Sequence, residues 1–485
     1  MKQGRATGAG TRRRRAGGRE GIAVGGALGL RCFGRVGDLT GAERRSLLDR
    51  ATSSDEAIRA RTAEIIARVR RDGDRALVEL ARELDGVRLA RLEVERRRRS
   101  KAVEDLDPAV RRAMERAAAN IETAHRAFLP RPTEVETEPG VVVGRRPDAL
   151  ESVGVYAPGG RASYPSSVLM GAIPARVAGV PQVILCSPPG PDGVPAPAVL
   201  AAAEIARVDR VFAVGGAGAI AAMAYGTATV PSVSRIVGPG NAYVAEAKLQ
   251  VAGVVAIDSP AGPSELLVVA DGGADPALVA REVLAQAEHD PMAACVVVTT
   301  DERVARRIVG ALAAALPSQE RREIVAQSLA RHGAVLWGDA LGGALDFARE
   351  YAPEHLLLVV EDADAALGAV RNAGTVFLGA ASSVAFGDYV TGANHVLPTG
   401  RAARAYSGLS TLDFVRWTTY QRVSPDAAAR LAADAAVFAD AERLSGHAAA
   451  VRAWGGRTTA PPPANATAEA AAGPRAREIT GGRAR

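Results

Sequence analysis

The 485-residue sequence is poor in the residues that mark several protein classes. Its three cysteines, Cys32, Cys186 and Cys295, show no Cys-x-x-Cys spacing, and their odd number argues against a disulfide framework. Cys186 ends an apolar segment without a neighbouring His or Lys, so we predict a buried, inert thiol rather than a nucleophile. No run of 18 apolar residues occurs, which predicts no membrane-spanning segment. A cytoplasmic, reducing environment fits these absences.

The net charge of +6 is concentrated at the amino terminus. Residues 1–33 contain eight basic residues and one acid, a net charge of +7, so the remaining chain carries −1. The body has no excess of positive charge, and we predict no nucleic-acid partner. The arginine run beside a weak apolar stretch lacks a secretory cleavage pattern, so we expect a disordered tail. Residues 458–485 are rich in Pro, Ala and Gly, and we expect them to be disordered as well.

The middle of the chain changes from helical to alternating patterns. Apolar residues recur at spacings of three and four up to about residue 130, which indicates amphipathic helices. From Ser152 onward, short β-branched segments alternate with helical ones, and a second such series begins at SELLVVAD, residues 264–271. This alternation predicts an α/β fold with two tandem Rossmann-like parallel-sheet domains, and a ligand cleft at the carboxyl ends of the strands. The predicted domains are a tail (1–33), a helical N-terminal region (34–155), a first α/β domain (156–261), a second α/β domain (262–405), a C-terminal helical segment (406–457) and a second tail (458–485).

The stretch YAPEHLLLVV, residues 351–360, places a carboxylate and an imidazole side by side before an apolar run. Pro353 favours a turn or a helix start, so we expect Glu354 and His355 to be displayed rather than buried. Such a pair can exchange protons with a substrate near neutral pH. The alternative is a surface acid beside a structural core histidine.

Several nitrogen and oxygen donors have spacings that suit a metal site. Gln286 and His289 are three residues apart at the end of a predicted helix, so both side chains leave from one face. Asp388 and His395 stand in a Gly-rich loop, and His447 lies on the last predicted helix. This donor set favours zinc or a similar divalent ion, although scattered donors of this kind also occur without any metal.

Gly-rich segments after predicted strands favour a dinucleotide. In AVGGAGAIAAM the spacing Gly216-x-Gly218-x-x-Ala221 fits the phosphate-binding pattern, in which backbone N–H groups and a helix N-terminus meet a pyrophosphate. No acid ends a strand about twenty residues later to hold a ribose. Packing turns are the alternative.

Eight segments in register resemble the histidinol dehydrogenase family over residues 40 to 455. They are VYAPGG, YPSSVLM, GPGNAYV, AGPSELLVVAD, QAEHDP, YAPEHL, GDYVTGANHVLPT and AERLSGHA. The resemblance implies a zinc- and NAD-dependent enzyme that oxidises L-histidinol through L-histidinaldehyde to L-histidine, the last step of histidine biosynthesis. It implies a homodimer in which Glu442 and His447 complete the active site of the other subunit.

The resemblance also assigns residues to roles. The zinc ligands it implies are Gln286, His289, Asp388 and His447. The substrate-binding residues it implies are Ser264, Gln286, His289, His355, Asp388, His395, Glu442 and His447. Tyr156, Gly218 and Asn241 match cofactor-binding positions. Within this assignment His355 takes the hydroxyl proton in the first oxidation, and Glu354 activates the water that attacks the aldehyde. Zinc would bind the imidazole and amine of histidinol and fix its pose, with Glu442 receiving an imidazole N–H.

The chain departs from the family pattern at Gly218, where a glutamine that contacts the cofactor is usual. Loss of such a contact would cost on the order of 1 kcal/mol of cofactor binding. The departure leaves open a related enzyme that oxidises another small polar alcohol or diol. A zinc hydrolase, in which Glu354 activates water at the metal, and a non-catalytic binding module are further alternatives. Retention of Glu442 favours a substrate that carries an imidazole.

Overall fold

A computed structural model describes residues 22–23, 28–50, 55–159, 163–259 and 262–456, so most of both predicted tails lies outside the described residues. The strands are β1 Ile22–Ala23, β2 Gly29–Leu30, β3 Cys32–Arg35, β4 Thr133–Glu138, β5 Val141–Ala149, β6 Ser152–Tyr156, β7 Gln182–Ser187, β8 Arg210–Ala213, β9 Arg235–Val237, β10 Ala256–Ile257, β11 Glu265–Ala270, β12 Ala294–Thr299, β13 Ala334–Trp337, β14 His355–Val359, β15 Thr375–Leu378 and β16 Val415–Val423. The α-helices are α1 Gly41–Leu48, α2 Glu56–Asp72, α3 Asp74–Leu80, α4 Arg96–Glu104, α5 Pro108–Ala127, α6 Pro165–Val177, α7 Pro197–Ile205, α8 Gly216–Tyr225, α9 Ala242–Val251, α10 Pro276–Ala287, α11 Glu302–Ala315, α12 Arg322–His332, α13 Leu341–Tyr351, α14 Ala363–Ala369, α15 Val384–Tyr389, α16 Pro425–Ala441 and α17 Ser445–Arg452.

The described chain divides into two compact units. The first runs to Pro130 and continues over Asp148–Arg416, and the second combines Arg131–Pro147 with the chain from Trp417 onward. Both parallel sheets that the sequence predicts as separate domains belong to the first unit. The finer division at residues 156, 262 and 406 stays a prediction.

The first parallel sheet has the strand order β10-β9-β6-β7-β8. Its central strands β6 and β7 pair in parallel from Ser152 opposite Gln182 to Tyr156 opposite Cys186. Nearly every residue of these two strands is buried, as expected for a sheet with helices on both faces. The alternation of β-branched strands with helices therefore forms the predicted βαβ units.

The second parallel sheet has the order β15-β14-β11-β12-β13-β3 and confirms the predicted α/β class with two parallel sheets. Its edge strand β3 corrects the predicted tail boundary, because Cys32–Arg35 pairs in parallel with β13. Leu28, Leu30 and Cys32 are buried, so their apolar side chains hold this segment against the domain core. The surrounding Gly and Arg residues hide this short apolar pattern in the sequence.

The second unit contains a small sheet of order β16-β5-β4, whose strands lie within the segments predicted as helical at residues 34–155 and 406–457. Strands β4 and β5 form an antiparallel hairpin around Gly140, whose φ of +81° suits the tight turn. The C-terminal part has two helices rather than one, because Arg443 adopts a φ of +62° between α16 and α17. Among the described residues no helix is long and apolar enough to cross a membrane, and a cytoplasmic location stays a prediction.

His125 near the end of α5 is buried, and neither ring nitrogen has a hydrogen-bond partner among the described residues. Its ring lies edge-on to Phe128 at 5.8 Å between centroids. Burial lowers the pKa of His125 to about 4, since the charged form loses its hydration. It is therefore a structural core histidine.

We predict that His125 makes the protein acid-sensitive. The unfolded chain binds a proton on this imidazole near pH 6.5 and the folded chain only near pH 4, so stability falls as the pH drops between these values. The contribution is about 3 kcal/mol over that interval. Urea unfolding of the parent and His125→Leu at pH 7 and pH 4.5 should show a smaller loss of stability in the variant. Equal losses would mean that His125 does not stay neutral in the folded protein.

Candidate active site

The candidate catalytic residues lie at the amino ends of the second sheet, not at the carboxyl ends that the sequence rule predicts. Ser264 and Glu265 stand at the start of β11, and Glu354 and His355 stand at the start of β14. These strands pair in parallel with Leu266 opposite His355, which places Glu265 next to Glu354. The register of one strand pair thus brings together Glu265 and Glu354, which are 89 positions apart in the chain.

Glu354 and His355 are buried, with exposures of 6% and 3%, so the prediction that they are displayed is wrong. The turn before β14 is made at Ala352, which has a φ of +49°, and Pro353 leads straight into the sheet instead of starting a surface helix. Glu354 Oε2 accepts hydrogen bonds from Ser264 Oγ at 2.8 Å and from the Glu265 backbone N–H at 2.7 Å. A buried carboxylate held in this way has a fixed orientation.

The His355 ring is oriented by its Nδ1 atom. Nδ1 donates to the Glu265 backbone carbonyl at 2.9 Å and lies 3.3 Å from Glu354 Oε2. Nε2 has no hydrogen-bond partner within the described ranges and lies 3.7 Å from Asp388 Oδ1. Because Nδ1 carries the proton in this arrangement, Nε2 is the atom that can accept one.

The charges of the site alter two pKa values. Burial opposes protonation of His355, but the negative charges of Glu354 and Asp388 outweigh it and raise the pKa of His355 well above its ordinary value. This differs from the expectation that His355 titrates near neutrality. Burial also acts against ionisation of Asp388, yet the imidazoles of His355, His395 and His289 lower its pKa. His289 therefore lies within electrostatic range of the same carboxylate.

Gln286 lies in the last turn of helix α10, and His289 follows two residues after the helix ends, which corrects the prediction that both lie on the helix. In a βαβ unit the helix runs antiparallel to the strands, so this end of α10 lies at the amino ends of the sheet. The Gln286 side chain is buried, and its amide nitrogen donates a hydrogen bond to Ser264 Oγ. The amide oxygen is then available as a ligand for a cation. His289 Nδ1 contacts the carbonyls of Ala285 at 3.1 Å and Gln286 at 3.2 Å, which leaves Nε2 as the nitrogen that could bind a metal.

Asp388 lies on the short helix α15 rather than in the predicted loop, and its backbone carbonyl accepts from His395 Nδ1 at 3.0 Å. No group of three His, Cys, Asp or Glu side chains in the described ranges is arranged to hold a metal. The amide of Gln286 falls outside that count, and with His289 and Asp388 it forms a mixed nitrogen and oxygen donor set of the kind that zinc accepts. These residues fit a cation site that needs one more ligand.

The first sheet presents its Gly-rich turns at the carboxyl ends of its strands, as predicted. The hydroxyl of Tyr156, at the end of β6, accepts from the Gly216 N–H at 3.0 Å, and burial raises the pKa of Tyr156 to about 12. Asn241 caps helix α9 through its side-chain oxygen, with N–H donors of Tyr243 and Val244 at 3.1 Å. The cap leaves the amide nitrogen of Asn241 for other partners.

Gly218 lies inside α8 and does not line a turn. A Cβ atom at this position would lie 3.3 Å from Leu80 Cδ1 and 3.5 Å from Leu77 Cδ2. The missing side chain therefore lets the helical N-terminal region pack closely on α8. Cys186 is fully buried and burial raises the pKa of its thiol far above the ordinary value, which confirms the prediction of an inert thiol.

Both the sequence and the fold are similar to known proteins. The family model for histidinol dehydrogenase matches residues 48–454. The chain belongs to the histidinol dehydrogenase family. A histidinol dehydrogenase of Methanosarcina mazei is 45% identical over 422 residues, 87% of this chain and 97% of that protein. The homologue of Halobacterium salinarum is 48% identical over 421 residues, 86% of this chain and 98% of that protein. The crystal structure of histidinol dehydrogenase from Elizabethkingia anophelis superposes with a TM-score of 0.84 at 33% identity, covering 88% of this chain and 98% of that one.

Two site residues implied by the histidinol dehydrogenase resemblance lie in the second unit. Glu442 directly follows α16 as its C-cap, and His447 is the third residue of α17. Both side chains are exposed in the chain taken by itself. Contact of these residues with the zinc or the substrate stays a prediction.

The sequence interpretation missed Glu265 and Arg50. Glu265 is 2% exposed, and its carboxylate binds the Arg50 guanidinium with contacts of 2.8 and 3.1 Å. The only local signal is an acid at the start of an apolar strand, directly after Ser264. Its partner is 215 residues away, and no spacing rule connects the two.

We predict that Gly238→Ala damages the cofactor side of the site. Gly238 follows β9 with a φ of +119°, and a Cβ atom there would lie 2.1 Å from the Tyr156 carbonyl oxygen. The variant should lose about 2 kcal/mol or more of stability and raise the KM for NAD, because the Tyr156 backbone must move. Urea unfolding and steady-state kinetics measure both effects. Gly253→Ala, where no atom lies within 4 Å of the added Cβ, is the control and should behave like the parent.

Proposed function

We propose that this chain oxidises L-histidinol through L-histidinaldehyde to L-histidine and transfers a hydride to NAD in each of the two steps, as the last step of histidine biosynthesis. The observation that carries the proposal is the buried pair Glu354 and His355, in which Glu354 lies beside Nδ1 of the ring and Asp388 beside Nε2, and Nε2 has no hydrogen-bond partner among the described residues. Relatives named histidinol dehydrogenase at 45% and 48% identity support the same substrate.

In the first oxidation the hydroxyl group of the substrate loses a proton while the carbon transfers a hydride to NAD. His355 Nε2 is the acceptor for this proton, since Nδ1–H is committed to the Glu265 carbonyl. The Glu354 carboxylate, 3.3 Å from Nδ1, stabilises the imidazolium that results. Because both side chains are buried, little water screens the two charges, and this strengthens the stabilisation.

In the second oxidation a water molecule must attack the aldehyde before the next hydride leaves. The contacts of Glu354 with Ser264, with the Glu265 N–H and with the His355 ring all use Oε2. Oε1 is then the oxygen that accepts a proton from the attacking water. The two carriers thus serve two different protons at one carbon atom, which explains why an acid and an imidazole stand side by side.

We assign the zinc site to Gln286, His289 and Asp388 of one subunit and to His447 of the partner subunit. The first three present an amide oxygen, an imidazole nitrogen and a carboxylate at the amino ends of one sheet. When bound, zinc would hold the imidazole and amine of histidinol and so fix the pose of the reacting carbon. The substrate contacts would be completed by Ser264, His395 and the partner's Glu442. NAD would contact Tyr156 and Asn241 and would lie beside Gly218 of α8.

Oxidation of another small polar alcohol or diol is the second candidate. The same zinc ligands and proton carriers suit such a substrate, but it has no imidazole N–H that could donate a hydrogen bond to Glu442. A zinc hydrolase would leave the Gly-rich turns at the first sheet without a role, and turnover without a nicotinamide cofactor would reveal it. The named relatives favour histidinol over both alternatives.

We predict that histidinol-driven NADH formation depends on His355 and on zinc. Dialysis against a chelator should abolish turnover, and added zinc should restore it, because the substrate loses and regains its anchor. His355→Asn should lower kcat by about 10²- to 10⁴-fold with little change in KM, since binding uses other groups. Small diols assayed in parallel test the alternative substrate. Unchanged turnover in His355→Asn would remove the proposed base.

We predict that two inactive variants complement each other if the site is shared between subunits. In a mixed dimer of His355→Asn and His447→Asn, one site carries both substitutions and the other carries neither. Random reassembly of an equal mixture should therefore recover about one quarter of the parental activity. Refolding from denaturant followed by an NADH assay measures this recovery. A mixture that stays inactive would place His447 in the site of its own subunit.

A further inference from the structure

The backbone of Glu265 orients both proton carriers of the proposed site. Its N–H donates to Glu354 Oε2 at 2.7 Å, and its carbonyl accepts from His355 Nδ1 at 2.9 Å. A single peptide segment thus fixes the carboxylate and the ring relative to each other. Any shift of this segment changes the position of both groups at once.

The side chain of Glu265 is the anchor of that segment. Its carboxylate is buried and accepts from Arg50 Nε at 2.8 Å, from the Gly400 N–H at 2.8 Å and from the Glu354 N–H at 3.4 Å. Burying a carboxylate is costly unless it is paired and hydrogen-bonded. Arg50 supplies the opposite charge, and its side chain is only 7% exposed.

Arg50 also holds the segment that leads into β14. Its guanidinium donates to the Tyr351 carbonyl at 2.8 Å and lies over the Tyr351 ring at 3.5 Å from the centroid. Tyr351 ends α13, three residues before Glu354. Arg50 therefore joins the start of β11 to the turn that carries the catalytic pair, and only a planar, forked cation can make these bonds together.

From this geometry we infer that Arg50 and Glu265 are positioning residues, which set the placement of Glu354 and His355 without touching the substrate. The inference rests on the proposed function, because Glu354 must activate water for its placement to matter in the second oxidation. If the position of Glu354 is less well fixed, the attack of water on the aldehyde becomes slower, whereas substrate binding is affected less. The aldehyde then leaves the site before the second hydride transfer.

The test measures kcat, KM and the number of NADH molecules formed per histidinol consumed in the presence of semicarbazide, which captures free aldehyde. Arg50→Lys keeps the charge and loses the fork, and we expect kcat to fall about 10- to 100-fold with KM within about threefold. The NADH yield should fall from two per histidinol in the parent toward one in the variant. Arg44→Lys is the matched control, because Arg44, on helix α1 shortly before Arg50, binds Glu350 of α13 with contacts of 3.0 and 3.1 Å and does not reach Glu265. It should keep the parental yield.

The double variant Arg50→Met with Glu265→Gln removes both buried charges and leaves neither unpaired, so it tests the inference if Arg50→Lys does not fold. We expect the folded double variant to show the same loss of kcat and the same release of aldehyde. Parental kcat and a yield of two NADH in either folded variant would overturn the inference, even if the melting temperature falls. A parent that does not oxidise histidinol would instead overturn the proposed function.

Discussion

The parallel pairing of β11 with β14 is the constraint on which the candidate site depends. With Leu266 opposite His355, the residues just before this pair are Glu265 on one strand and Glu354 on the next. A slip of one residue would turn every side chain of β14 to the other face of the sheet. Both strands are buried and apolar on both faces, so it is the hydrogen bonds of Glu265 with Glu354 and His355 that distinguish this register from a slipped one.

The electrostatic balance of the site follows from this placement. Glu354 and Asp388 flank one imidazole in a buried environment, and both favour its protonated form. A base must be neutral before it can take a proton from an alcohol. A cation held by Asp388 would compete with His355 for that carboxylate and bring the pKa of His355 down. The proposed zinc site and the proposed base therefore share Asp388: a cation bound there would favour the neutral form of His355 that can accept a proton.

The sequence predicted the parts of the fold that repeat and the residues that form motifs. Alternating β-branched strands and helices indicated the two parallel sheets, and of the two residues predicted at a helix end, Gln286 lies in the last turn of α10 whereas His289 follows the helix. It did not predict that the candidate residues lie at the amino ends of the second sheet, because periodicity does not indicate which end of a strand carries a site. The burial of Glu354 and His355 was missed as well, because Pro353 leads into a central strand as readily as into a surface helix.

Long-range contacts were beyond local patterns. The pair of Arg50 with Glu265 and the edge strand β3 each join segments that lie more than 200 residues apart, and no spacing rule connects them. The hairpin of β4 and β5 was hidden for another reason. Every residue of β4 is exposed, so TEVETE lacks a buried apolar face that would mark it as a strand.

The proposed proton carriers and the proposed cofactor site lie at opposite ends of their two sheets, and one segment after α15 connects the sheets. Gly392, four residues after Asp388, has a φ of +96° and packs so closely on the Asn120 carbonyl that a Cβ atom would lie 2.4 Å from it. Asn394 then donates to the Met170 carbonyl of α6 at 2.7 Å, and Val396 joins the core of the first sheet. This segment carries His395 between those anchors. The amino ends of the second sheet are thereby tied to the helices of the first, so the proposed proton carriers at one sheet and the proposed cofactor site at the other are held by one packed segment.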